Sequence, residues 1–483
     1  MPQFHPIPFF IGWLAIGLVG LCAFSFNSVF PLWFSVFVFL LASTYLVQLV
    51  RKGLLGMLVL VLWLFYALPF IHIVPYLWFD FDWVPPIGFG RLVSNPYMFD
   101  EQVILLMSMI GAVGAIGICI GATLATRTRK VLVDMSQRTF SQNSQSLSLT
   151  LFFCWIAVSL GLAWLAAPQE TLFTSEYTDS SSVLDGFNFS SAWMISYFLL
   201  LFCISDAVHE KANEVRIIKF WSIVMSLVVI VLFLNLLRGN RDSLPLVLSA
   251  FLIAFYWGKS NNSKSNATIK IWLLIVFSGI SLVVIGKVVG SVRHSLVGVE
   301  SFSKIWLLLQ SLYAQDILGP STFLYGTWSA ALLTPLSIAG DYIYTDWSYQ
   351  LGRSYVNLIA SFPPGFLADF IGYVRPLDIN DPASQMRYGI GGTHAVVLPF
   401  KNFGMLGVLL IPVFWTYAIL RLEERTKHAM NVSNMSFLGA IVLIAPHWLW
   451  YGEKILVNAI VIWIALSFLY RLSKLERFSA ASQ

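Results

Sequence analysis

Residues 290–303, GSVRHSLVGVESFS, open a segment that closes at residues 391–403, GGTHAVVLPFKNF. Between them lies the only long stretch of this chain that cannot live in a bilayer. The apolar runs on either side of it are long enough to cross a hydrocarbon core of about 30 Å as helices. Hydrophobic residues make up 58% of the 483, and charged residues only 11%. A water-soluble surface needs roughly 25% charged residues, so the chain reads as an all-α polytopic membrane protein. Its net charge of +5 carries little information about partners, because distribution matters more than the sum. No nucleic-acid partner is expected.

Working outward, the apolar runs predict about twelve transmembrane helices, near 7–26, 29–50, 54–76, 101–125, 149–167, 191–208, 217–237, 243–258, 271–290, 403–421, 434–451 and 454–470. The implied organisation is 1–290 with nine helices, 291–402 as one large outer loop domain, partly helical, and 403–483 with three helices and a tail. With both termini in the cytoplasm, the inner loops hold 18 of the 29 Lys and Arg residues, as the positive-inside bias requires. Acidic residues run the other way: Glu170, Glu176, Asp179 and Asp185 share an outer loop with no Lys or Arg. Met1 to Pro6 lacks the basic start of a cleavable signal, so the first span is expected to be retained. Cys22, Cys119, Cys154 and Cys203 all fall in apolar runs and read as small core residues. Gly111, Gly114, Gly117 and Gly121 form a small-residue face that predicts close helix packing.

Candidate chemistry gathers at the outer ends of spans. Arg238-Gly239-Asn240-Arg241-Asp242 follows the seventh span. Two guanidinium forks at a membrane mouth suit a diphosphate; an interfacial turn with the arginines paired to Asp242 is the competing reading. Lys287, Arg293 and His294 make a second basic site at similar depth. Within the long loop, Tyr342, Tyr344, Trp347 and Tyr349 suit either sugar stacking or a membrane-surface domain. Phe362-Pro363-Pro364-Gly365 is a rigid turn, and Arg375 and Arg387 are placed to reach back over the cavity. Gly391-Gly392-Thr393-His394 brings a histidine next to flexible backbone at a helix entry; with a reference pKa near ~6.5 it can accept or orient a hydroxyl proton, and a structural histidine is the alternative. Glu453 in the last outer turn is a candidate carboxylate, with an ion pair to Lys454 as the competing account. Asp80-Phe81-Asp82 is weak evidence for a divalent metal. No P-loop, dinucleotide fingerprint, nucleophile elbow or HExxH occurs.

Arg-Gly-Asn-Arg after a mid-chain span, one long late outer loop, and Gly-Gly-Thr-His ahead of Asn402-Phe403-Gly404-Met405-Leu406-Gly407 together resemble the Wzy-type polymerases, which build O-antigen, enterobacterial common antigen and exopolysaccharide. The related O-antigen ligases share the pattern, but commonly carry a polar residue after this histidine, where this chain has Ala395. The resemblance implies a GT-C type, metal-independent glycosyltransferase of the bacterial inner membrane, with its active site facing the periplasm and no cofactor. It would move a growing glycan from undecaprenyl diphosphate to the non-reducing end of another lipid-linked repeat unit. Carried over by position, Arg238, Arg241 and Arg293 would hold the diphosphate, with His394 on the acceptor hydroxyl; Arg375, Arg387, Glu453 and Lys454 would assist. A chain-length regulator and a flippase are implied as partners besides the lipid bilayer. The alternatives are an O-antigen ligase, or a lipid-linked oligosaccharide flippase or other transporter, which would carry charges along a path through mid-span.

Overall fold

A computed structural model describes residues 29–51, 56–78, 100–136, 147–166, 192–209, 213–230, 332–360, 370–374, 394–428 and 431–481, with short fragments between 245 and 253, at 306–311 and at 368. Every regular element among them is helical. In chain order these are α1 (Val29–Arg51), α2 (Met57–Trp78), α3 (Glu101–Ser136), α4 (Leu149–Ala166), α5 (Ala192–His209), α6 (Asn213–Ile230), α7 (Leu333–Tyr344), α8 (Arg353–Ala360), α9 (His394–His428), α10 (Val432–Tyr451) and α11 (Glu453–Ala481).

Seven of the described helices, α1, α3, α4, α5, α9, α10 and α11, are long and apolar enough to cross a membrane, and α2 has a shorter apolar stretch, Leu58–Phe70. They correspond to the expected spans from 29–50 through 191–208 and the last three. The described part of the expected span 217–237 ends at Ile230. The spans expected at 7–26 and 271–290, and most of 243–258, lie outside the described residues. On α1, Trp33, Phe37, Leu40 and Val47 are more than half exposed along one face. An outward stripe of large apolar side chains at helical spacing belongs against hydrocarbon and not water.

The centre of the bundle is α3, and glycine is the reason it fits there. A Cβ at Gly111 or Gly114 would run into Phe70 and Tyr66 of α2; one at Gly117 or Gly121 would strike the backbone carbonyls of Leu409 and Val413 in α9. With apolar solvent on both sides there is little hydrophobic drive, so helices associate through close packing and interhelical hydrogen bonds. Both occur here. The Tyr45 and Thr123 hydroxyls bond at 2.7 Å between α1 and α3. Ser159 Oγ donates to the Ser196 carbonyl at 2.7 Å, and Ser196 Oγ returns a bond to the Ser159 carbonyl at 2.8 Å, clamping α4 to α5. Replacing Gly117 by Leu is expected to abolish monodisperse folded protein in detergent, since overpacking by even a few methylenes costs about 1–3 kcal/mol. Gly161, whose Cβ position has nothing within 4 Å among the described residues, is the control: Gly161→Ala should leave the melting temperature unchanged or slightly raised.

The helices expected to end at 125, 421 and 470 run on to Ser136, His428 and Ala481, and one start also differs. The helix expected to start at 403 starts at His394, and it breaks at Gly404, where φ is 62° and ψ −151°. The break is where the segment around Gln350 docks. Gln350 and Leu351 donate their backbone N–H groups to the carbonyls of Lys401 and Asn402, at 3.1 and 3.0 Å. The Tyr349 ring lies 3.1 Å from where a Cβ at position 404 would sit, so the positive φ and the close approach both demand glycine. Tyr342, with its ring centroid 5.0 Å from that of Phe400, and Tyr349 at 6.2 Å, pack this segment against α9.

Candidate functional site

The turn between α10 and α11 is made by Gly452. Its φ of 96° is open to glycine, and its N–H closes α10 on the Trp448 carbonyl at 2.8 Å. Glu453 follows at once as the first residue of α11. The turn therefore aims a carboxylate inward at the end of the bundle, where it is 3% exposed. Neither carboxyl oxygen has a hydrogen-bond partner of adequate geometry among the described residues. Burial pushes the group up from the ordinary 4.5 to about 7, with its own backbone N–H pulling the other way.

Two tyrosines, Tyr66 and Tyr355, lie within electrostatic reach of Glu453. Tyr66 of α2 donates its hydroxyl to the carbonyl of Ala395 at 3.1 Å, pinning the first turn of α9. Tyr355 of α8 has a buried hydroxyl with no partner among the described residues. Burial raises its ionisation above the ordinary phenol range, with the Glu453 charge and then Tyr66 adding to the rise, which places all three groups within electrostatic reach of one another. Tyr355 is held firmly. Its ring stacks on Phe403, centroids 6.2 Å apart and planes 8° from parallel, and the Asn402 side-chain amide bonds the neighbouring Ser354 hydroxyl. The left-handed pair Leu351 (φ 47°) and Gly352 (φ 87°) turns the docked segment into α8.

Of the residues singled out from sequence, the structure thus brings Glu453 and the start of α9 to one end of the bundle. His394 is the first residue of α9 and Lys454 the second of α11; their side chains lie outside the described residues. So do Arg238, Arg241, Arg293, Arg375 and Arg387, and the Asp80-Phe81-Asp82 motif. Tyr66, Tyr355 and Asn402 were not anticipated. No local pattern marks the two tyrosines, since each acts by meeting an element distant in the chain. Asn402 alone carried a signal, lying in the Asn-Phe-Gly-x-x-Gly run.

A second polar cluster sits at the opposite end of the helices. Lys219, counted from sequence among inner-loop lysines, is fully buried in α6 and pairs with the equally buried Asp206 of α5 at 3.2 Å. The other Asp206 oxygen accepts the Leu147 N–H at 3.0 Å and the Tyr470 hydroxyl at 2.8 Å, and Lys219 also donates to the Leu147 carbonyl at 3.3 Å. Every group there has partners, which fits a structural tie between α4, α5, α6 and α11 better than a substrate site.

Comparison with known proteins gives one family. The family model for the O-antigen polysaccharide polymerase Wzy matches residues 7–376, well over half of the chain and all of it ahead of His394 and Glu453. No curated protein and no solved structure matches. The matched span takes in Arg238, Arg241, Arg293 and Arg375, together with Tyr66 and Tyr355. This polytopic membrane chain belongs to the O-antigen polysaccharide polymerase Wzy family.

Proposed function

We propose that this protein is a metal-independent GT-C type glycosyltransferase of about twelve spans, working at the periplasmic face of the bacterial inner membrane. It elongates O-antigen by moving the growing glycan from undecaprenyl diphosphate to the non-reducing sugar of another lipid-linked repeat unit. The acceptor oxygen forms a bond to the anomeric carbon while the bond from that carbon to the diphosphate oxygen breaks. The electron pair leaves with undecaprenyl diphosphate, and Arg238, Arg241 and Arg293 balance its charge. The acceptor proton goes to Glu453, with His394 orienting the hydroxyl; Arg375, Arg387 and Lys454 help hold sugar and phosphate. A chain-length regulator and a flippase are the expected partners, with no cofactor beyond the lipid-linked substrate.

The observation that carries this reading is the buried carboxyl of Glu453, without a hydrogen-bond partner among the described residues. A base poised near neutrality suits proton abstraction from a sugar hydroxyl. The positive-inside distribution of Lys and Arg supports the outward orientation.

The test is extension of the native lipid-linked repeat unit by purified full-length protein, with and without EDTA, beside His394→Ala and Arg241→Ala variants verified to be folded. A ladder that survives EDTA and is lost in both variants is expected. No ladder from wild type overturns the polymerase reading, and lipid scrambling by the same preparation makes the protein a transporter. A ladder sensitive to EDTA removes metal independence, and one that persists in His394→Ala removes that residue from the site.

A further inference from the structure

Leu351, Val356, Ile359, Phe370, Ile371 and Val374 are each between 59% and 89% exposed. Two stretches of chain supply them, and one bond brings the stretches together. Tyr373 donates its hydroxyl to the Ala360 carbonyl at 2.9 Å, tying the turn at 370–374 to the end of α8. The turn is made at Gly372, where φ is 66° and nothing lies within 4 Å of the Cβ position among the described residues. Phe370, Ile371 and Val374 therefore ride on a protruding tip. Single apolar side chains on a surface need no explanation, but six gathered at one place mark an interaction site.

The position of this face says what it meets. A Cβ at Gly352 would sit 3.1 Å from the Phe403 ring, and Tyr355 stacks on the same ring, so α8 abuts α9 at that point. Three residues beyond Phe403 begins the outward stripe of α9, Leu406, Leu410 and Phe414, each more than half exposed on a helix long and apolar enough to span the membrane. The apolar face of α8 thus continues a surface that belongs against hydrocarbon. Side chains this exposed stand proud of the fold, which suits a fluid partner better than a shaped ligand. Arg353, also exposed, precedes Val356 by three residues and so borders the face, where its stem can lie along apolar surface with the guanidinium at phosphate level. We propose that α8 and the 370–374 turn form a membrane foot, a lipid-binding surface seated in the interfacial layer beside α9. The six apolar side chains lie among the first methylenes of the acyl chains, and Arg353 meets the lipid phosphates. An amphipathic surface of this kind enters the boundary of headgroups and acyl chains by about 5–10 Å. The foot follows from the membrane fold alone and holds whatever sugar chemistry the protein performs.

The test uses full-length protein in nanodiscs of phosphatidylethanolamine and phosphatidylglycerol. Its four native cysteines are replaced by alanine, and a nitroxide is attached at Val356→Cys or Val374→Cys, each variant first verified as monodisperse with the melting temperature of its parent. A third label, at Phe414→Cys, marks the lipid-facing stripe. Collision with dissolved oxygen, which prefers hydrocarbon, is compared with collision with a water-soluble nickel chelate. Both foot labels should favour oxygen several-fold, at a depth between the phosphates and the Phe414 label. A preference for nickel at either label puts the face in water and overturns the foot. Protection from both reagents means that protein covers the face, from this chain or a second copy, and overturns it too. Protection from oxygen that appears only when undecaprenyl phosphate is added means that the face grips a prenyl tail, which overturns the bilayer as its occupant.

Discussion

Lys219→Ala should lower the stability of the detergent-solubilised protein by about 3–5 kcal/mol, because it leaves the Asp206 carboxylate buried without its countercharge. Both residues are fully buried and their charged atoms lie 3.2 Å apart. The lysine ammonium also stands 5.0 Å from the centroid of the Phe152 ring, so the truncation removes packing at the junction of α4 and α6 as well. Asp206 cannot rotate toward water, since its second oxygen is committed to the Leu147 N–H and the Tyr470 hydroxyl. The double variant Asp206→Asn with Lys219→Met should recover most of the loss. It removes both charges, keeps an oxygen for Leu147 and Tyr470, and preserves the lysine stem. Thermal unfolding of the two variants beside wild type checks this. A double variant no more stable than Lys219→Ala would show that something other than the stranded Asp206 charge destabilises the single variant.

Glu453→Gln should lower the extension rate by roughly 10²–10⁴-fold, the usual contribution of a positioned general base. The wild-type rate should rise with pH through about 7, as the carboxyl gives up its proton, and the variant should show no such rise. Stability moves the other way. The carboxyl binds its proton more tightly in the folded protein than in the unfolded chain, so its contribution is complete below the ordinary 4.5 and is lost as pH climbs through about 7. The interval corresponds to about 3 kcal/mol between the two protonation states. The melting temperature of wild type should therefore fall relative to that of Glu453→Gln between pH 5 and pH 8. A constant difference would mean that Glu453 is solvated or paired in the folded protein. Extension that survives in Glu453→Gln but not in His394→Ala would transfer the base to the histidine.

The seven described spans were legible because a bilayer imposes a length and an apolarity that no local detail can disguise. The glycine face of α3 was legible for a similar reason, since small residues at helical spacing have few other uses in a membrane. The beginning of α9 was not. Pro399, Lys401 and Asn402 look like loop, but the helix carries them by exposing carbonyls at the Gly404 break to a segment fifty residues earlier. Lys219 was misread because the positive-inside rule counts charge near span ends and is blind to a carboxylate waiting across the turn. Glu453 was singled out as a candidate carboxylate, but its burial is set by the fold and not by its neighbours in sequence. Tyr66 and Tyr355 come within electrostatic reach of residue 453 only through the fold, and no periodicity links them.

The two polar clusters are joined by a single rod. Glu453 begins α11 and Tyr470, bonded to Asp206, lies farther along it, so the Glu453 carboxyl and the buried ion pair stand about 25 Å apart at a rise of ~1.5 Å per residue. With Tyr470 held, α11 behaves as a keyed shaft. Inserting or deleting one residue between them would turn the Glu453 end by about 100° and shift it by about 1.5 Å, taking the carboxyl out of its buried position. Side chains on the lipid face of that shaft, such as Ile464 and Phe468, are free to drift in identity. The number of residues between its two ends is not.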